Sequence, residues 1–340
     1  MRQVKAQDAV GMILCHDVTR IVPGVSKGAA FRKGHIIEEG DVSLLLDMGK
    51  YHVFVQELLP GEVHEEEAAQ RLADLLCGEN LSCGEPSEGK VVLSAMIDGL
   101  CMVRRDLLSA LAKLDSVVVS TIHGYSMVKA GQAVAGAKVI PLVVQEKVLM
   151  EAEQVIWEKE KVMAVLPLRP LRVGIVVTGT EVFEGRITDA FGPILAGKVE
   201  ALGGIVIQTL FAPDDVEKEK SCIYELVRCG AELIMISGGM SVDPDDVTPL
   251  AIAKVAEEIV SYGSPVLPGA MFMTAYMGEL PIVGVPACGM FRRITVLDIL
   301  LPRIFAGVKI TKEDIDSLAY GGFCLNCEVC HFPLCPLGKS

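Results

Sequence analysis

The 340-residue chain lacks an apolar signal region: it opens Met1-Arg-Gln-Val-Lys-Ala-Gln-Asp8. It also lacks an unbroken hydrophobic span, although mean hydropathy is high at +0.44. The longest uncharged stretch, Ile259 to Gly278, carries Pro265, Pro268 and three glycines. Such a segment cannot satisfy its own backbone in lipid, so it reads as strand, loop, strand. Basic charge is in deficit as well, with 31 Lys+Arg against 44 Asp+Glu and a net charge of −13. That excludes the phosphate-neutralising surface on which non-specific nucleic-acid binding depends. The expectation is a soluble, cytoplasmic protein without nucleic-acid or membrane partners.

A length of 340 residues corresponds to two or three domains. Residues 1–163 read as an α+β region of short strands and helices, with a polar, Gly- and Glu-rich break near 78–90. Helices are expected at 41–47, 65–77, 106–114 and 146–161, and strands at 51–55, 116–120 and 133–144. Ala164-Val-Leu-Pro-Leu-Arg-Pro-Leu171 is a stiff connector. Beyond it, apolar runs at 173–177, 205–211, 233–236 and 282–285 alternate with helical patterns at 189–202, 216–229, 249–260 and 290–305. Strands apolar on both faces, separated by helices, specify an α/β fold: a mainly parallel sheet covered by helices on both faces.

In such sheets ligands lie beyond the carboxyl ends of the strands. Three loops fall there: Thr178-Gly179-Thr180-Glu181, Ser237-Gly238-Gly239-Met240-Ser241 running on to Asp245-Asp246-Val-Thr-Pro249, and Gly284-Val-Pro286-Ala-Cys-Gly289. Glycine permits close backbone approach, and free N–H groups with Thr and Ser hydroxyls suit a phosphate. The plainer reading makes the same residues turn formers and helix caps. Asp214, in Ala212-Pro-Asp214, and Asp246 end two strands and together suit Mg²⁺ against a phosphorylated ligand. Each would equally cap the following helix.

These motifs, in this order and spacing, resemble the molybdopterin-binding domain of molybdenum-cofactor biosynthesis proteins, the molybdopterin adenylyltransferases and molybdotransferases. The resemblance covers about Arg172 to Gly307. It implies that Thr178, Gly179, Thr180, Glu181, Asp189, Gly238, Gly239, Ser241 and Pro286 receive the pterin and its phosphate. It further implies that Asp214 and Asp246 stand near Mg²⁺ and the reacting phosphate as catalytic residues. Implied too are a homo-oligomer and a cofactor-assembly or molybdoenzyme partner. The function expected is binding of molybdopterin or its adenylated form, with or without Mg²⁺-dependent molybdate insertion; the competing reading is a non-catalytic carrier or a redox-sensing regulator. Leu267-Pro-Gly-Ala-Met271 departs from the Lys-Pro-Gly-Lys-Pro usual in the molybdotransferases, so two cations suited to molybdate and phosphate are missing.

Four of the eleven cysteines crowd the last 17 residues. Cys324, Cys327, Cys330 and Cys335 have the short gaps that let thiolates converge on one centre, close to the bacterial iron–sulfur pattern with one added residue before the final Cys-Pro. An iron–sulfur cluster and a tetrahedral zinc both fit, His331 being a substitute ligand in the second case. Gly84-Glu-Pro-Ser-Glu-Gly89-Lys90-Val91 imitates a phosphate loop but lacks the closing Ser or Thr and the preceding strand. Cys15-His16-Asp17 reads as a strand end with a polar turn, and His64-Glu65 lacks the second histidine of a zinc protease.

Overall fold

The computed structural model describes residues 2–22, 26–55, 58–156 and 161–339. The end of the expected helix 146–161 therefore falls partly outside the described residues. The chain packs as two compact units. The first comprises residues 1–97, 102–122 and 129–165; the second comprises 98–101, 123–128 and 166–340. No described helix is long and apolar enough to cross a membrane.

In the first unit, Arg2–Lys5 pairs antiparallel with His52–Val55 over a small core of Leu14, Ile37, Leu45 and Val53. A four-stranded antiparallel sheet follows, in the order Leu81–Cys83, Lys90–Ala95, Ala133–Val139, Val117–Thr121. Helix Glu65–Leu76 buries Ala68, Ala69, Leu72 and Leu76, a stripe at i, i+1, i+4 and i+8 along one face. The segment 78–90, expected to be a linker, instead contributes an edge strand, because buried Leu81 anchors it to the sheet. The expected strand 133–144 is two strands, interrupted at 140–142. His64 is buried and caps the helix, its Nδ1 accepting from the Glu66 amide at 3.2 Å. Cys15 Sγ lies 3.7 Å from His16 Nδ1. Burial pushes the Cys15 thiol up to about 11, so it is no thiolate nucleophile at neutral pH.

The second unit is built on a six-stranded sheet. In chain order its elements are β1 (Arg172–Thr178), α1 (Thr180–Phe183), α2 (Phe191–Ala201), β2 (Ile205–Ala212), α3 (Val216–Arg228), β3 (Leu233–Ser237), α4 (Thr248–Val255), β4 (Glu258–Tyr262), β5 (Met273–Met277), β6 (Leu280–Val285), α5 (Cys288–Phe291), α6 (Val296–Phe305) and α7 (Lys312–Ser317). Strand order is β2-β1-β3-β6-β5-β4, parallel through the first four and antiparallel for the last two.

Two-residue alternation sorts the side chains. Val173, Ile175 and Val177 of β1, with Leu233 and Met235 of β3, enter one core with Phe191, Leu195 and Leu300 from α2 and α6. Val176, Ile234 and Ile236 enter the opposite core with Ile223 of α3 and Ile252 of α4. Each such side chain contributes roughly 1.5–3 kcal/mol on burial, so a one-residue slip of register would forfeit both cores. Gly174 is small for a packing reason: a β-carbon there would stand 2.8 Å from the Leu226 side chain on α3.

Two expected helices are corrected. The run 249–260 is helical only to Val255, because Glu258–Tyr262 pairs antiparallel with Met273–Met277. The run 290–305 is two helices: Arg292 turns extended, and Thr295 and Asp298 form a capping box that starts α6. That break lies between the two sites described below.

Candidate functional site

The parallel strands end together, and their loops enclose a cavity of about 690 Å³. β1 delivers Thr178, which is buried. Its Oγ1 donates to the Ser237 carbonyl at the end of β3 at 2.9 Å and stands 3.4 Å from Thr248 Oγ1 at the start of α4. One hydroxyl thus locks two loops together.

The glycines are required by geometry. Gly238 has φ +90°, and a β-carbon would stand 2.6 Å from Thr178 Oγ1 and 2.7 Å from the Thr178 carbonyl. Gly239 has φ +56°, and a β-carbon would meet Thr248 Oγ1 at 2.6 Å. Only glycine accepts both the backbone conformation and the spacing.

Asp214 and Asp215 are adjacent and divide the labour. Asp215 caps α3, its Oδ1 accepting from the Lys218 amide at 2.9 Å. Asp214 therefore does not cap α3. Its Oδ2 accepts from both the amide and the hydroxyl of Thr180, each at 2.9 Å, which ties it to the first loop at the cavity wall. Asp189 does cap α2, accepting from the amides of Phe191 at 2.8 Å and Gly192 at 3.0 Å, and it also lines the cavity. Asp246 closes a turn on Asp243, and both line the cavity; α4 begins without a side-chain cap.

Of the residues picked out in the sequence, Thr178, Gly179, Glu181, Asp189, Asp214, Gly238, Gly239 and Asp246 line this one cavity. Thr180 reaches it through Asp214. Ser241 is exposed and Pro286 is buried, and neither is among the residues lining the cavity. The Tyr262 hydroxyl donates to the Met240 carbonyl at 2.9 Å, pinning this loop from β4. Among the described lining residues there are six carboxylates and no Lys, Arg or His.

Glu219 was missed by sequence reasoning. It lies on α3 four residues before Ile223 and seven before Leu226, squarely on the apolar stripe, and it is fully buried. That spacing was readable. Neither carboxyl oxygen has a hydrogen-bond partner among the described residues, and the same holds for Ser237 Oγ. Burial, reinforced by Asp214 and Asp215, pushes the carboxyl up to about 8. Glu219 is therefore a neutral acid at pH 7, packed below the loops.

A second cavity, of about 510 Å³, lies in the same unit. Cys324, Cys327, Cys330 and Cys335 all line it, together with Arg292 and Arg293. No three His, Cys, Asp or Glu side chains among the described residues are gathered closely enough to hold a single metal ion.

Residues 174–306 match the family described as "Probable molybdopterin binding domain". The matched segment lies within the second unit and is similar to a probable molybdopterin-binding domain. Residues 3–57 match a different family, a domain of unknown function (DUF8806). A CinA-like protein of Mycobacterium avium is 37% identical over 83 residues, which is 24% of this chain and 19% of that one. A CinA-like protein of Mycobacterium leprae is 35% identical over 83 residues, with the same shares. The match thus spans about a fifth of the length of these curated relatives. The molybdopterin biosynthesis enzyme MoaB of Thermus thermophilus aligns at 22% identity and a TM-score of 0.36, covering 39% of this chain and 91% of that structure. The matched segment contains all but the first two residues of the sheet, the three loops and both acidic strand ends, and it stops short of the four terminal cysteines.

Proposed function

We propose that the chain binds molybdopterin, or its adenylated form, as a divalent-cation complex in the strand-end cavity and handles it during molybdenum-cofactor assembly. The observation that carries this reading is the cavity's lining: glycine backbone and hydroxyls on one side, six carboxylates around them, and no described cation. A pterin phosphate is an anion, and unscreened carboxylates within a few ångströms repel it by roughly 1–4 kcal/mol each. Backbone N–H groups answer part of that repulsion. A hard divalent ion answers the rest, and Mg²⁺ takes one or two carboxylates, leaving its other positions to water and phosphate. Asp214 and Asp246 are the residues that would hold it, since Asp214 does not cap α3, Asp246 does not cap α4, and both line the cavity. When bound, Mg²⁺ supplies charge neutralisation at the phosphate.

The chain's own residues do the remainder. Thr178 and Thr248 fix the separation of the first two loops, and Thr180 holds the Asp214 carboxylate at the wall. Gly238 and Gly239 let the phosphate reach the backbone. Insertion of molybdate would require a second anion beside the first, and Leu267-Pro-Gly-Ala-Met271 supplies no cation for it. That observation favours a carrier that binds the pterin over a molybdotransferase. The terminal thiols, outside the pterin domain, belong to the same proposal as a metal centre, iron–sulfur or zinc.

The test is equilibrium binding of purified molybdopterin with and without Mg²⁺. Micromolar or tighter binding that weakens at least tenfold without Mg²⁺, and again in Asp246→Asn, is the expected result. A folded wild type that binds no molybdopterin sinks the reading. Robust molybdate insertion by the wild type, abolished in Asp214→Asn while binding survives, would replace the carrier with an enzyme.

A further inference from the structure

The tail's four thiols share one cavity, and what else lines that cavity separates the two metal chemistries that fit their spacing. Around one zinc at a Zn–S distance near 2.3 Å, tetrahedral thiolates stand about 3.8 Å apart. The described side chains form no such group, although all four cysteines face the same 510 Å³ space. A four-iron cluster interposes iron and sulfide between its ligands, and so spreads the thiolates over a larger volume.

Charge points the same way. A cubane with four thiolate ligands is a net anion whether oxidised or reduced. This cavity contains no described carboxylate and two arginines. Arg292 is fixed on the first Cys-x-x-Cys turn, its Nη1 donating to Asn326 Oδ1 at 3.0 Å. Hydrogen-bond donors are available too. Among the described residues, the amide of Cys324 donates to the Leu267 carbonyl, whereas those of residues 325–331 donate to no backbone carbonyl. Free amides around a cluster bond its sulfurs and set its potential. The remaining wall is apolar, with Phe291, Phe323 and Phe332, and Cys324 and Cys335 pack on the main core. Cys327 lines the cavity at an exposed position, which leaves one edge open for assembly.

We propose that Cys324, Cys327, Cys330 and Cys335 ligate one [4Fe–4S] cluster, with His331 outside its ligand set. The inference rests on the reading that the tail holds metal at all, and the experiment separates the two. The full chain is purified anaerobically, reconstituted with ferrous iron and sulfide, and assayed for iron, acid-labile sulfide and zinc. The expected result is four iron and four sulfide per chain with a broad visible charge-transfer band. Cys327→Ser and Cys330→Ser should each lose at least half of that iron, while His331→Ala and Cys222→Ser retain it. Circular dichroism of each variant shows whether the fold survives. One zinc per chain without sulfide, lost in His331→Ala, overturns the cluster and preserves a metal tail. A folded wild type that takes up neither metal overturns both.

Discussion

The two cavities of the second unit are opposites. The strand-end cavity has six carboxylates and no described cation; the cysteine cavity has two arginines, one histidine and no described carboxylate. They lie on either side of one short helix, α5, whose Met290 lines the first and whose Phe291 lines the second. A cavity that receives an anion against its own charge must rely on backbone donors and a metal ion. A cavity that supplies compensating cations can hold an anion directly. The difference is set within a few residues, where α5 ends and Arg292 and Arg293 turn the chain toward α6.

The largest expected effect tests the backbone half of this contrast. Gly238→Ala forces a side chain into a left-handed conformation and against Thr178, a strain of about 1–3 kcal/mol. Molybdopterin affinity should fall about 100-fold by calorimetry, and unchanged affinity would mean the loop does not receive the ligand. Next comes a substitution that makes the acidic cavity resemble its neighbour. Asp243→Lys removes a carboxylate and adds a cation, so the requirement for Mg²⁺ should shrink by about tenfold, near 1.4 kcal/mol. A variant that needs Mg²⁺ as much as the wild type does would break the electrostatic argument.

Glu219 supplies a pH test below the same loops. Its carboxyl is raised from an ordinary 4.5 to about 8 in the folded state, so the native chain binds more protons than the unfolded one between those values. Stability should therefore fall as pH rises through that window, by at most about 1.4 kcal/mol per pH unit, and level off above it. Glu219→Gln removes the slope: thermal melts should match the wild type near pH 5 and exceed it near pH 9. Equal melting curves at both pH values would show that the carboxyl is solvated. The smallest effect belongs to the basic cavity. Arg292→Ala removes one compensating charge and the bond to Asn326, and chelators should strip iron from the reconstituted tail about two- to threefold faster. An unchanged rate would assign Arg292 to the surface.

Much of this was legible before folding. Runs such as Val173–Val177 and Leu233–Ile236 are apolar on both faces, which by itself demands a sheet covered twice. Glycines after such runs, with acidic residues at two strand ends, marked the loops. The helix boundaries were less legible, because 249–260 and 290–305 have compatible local patterns throughout. Val255 ends its helix only because Glu258–Tyr262 finds a partner strand, and Thr295 restarts one only because Asp298 completes the cap.

The sequence by itself determined the alternation of the second unit, the loops at its strand ends and the four-thiol spacing of the tail, because hydrophobic period and residue type act over a few neighbours. Tertiary structure decided which of two adjacent aspartates caps a helix and which faces the cavity. It also decided that Glu219 is buried without a hydrogen-bond partner among the described residues and that the arginines after α5 turn toward the cysteines. Those outcomes depend on groups tens of residues apart in the chain arriving within hydrogen-bonding or Coulomb range, and no local pattern encodes that distance.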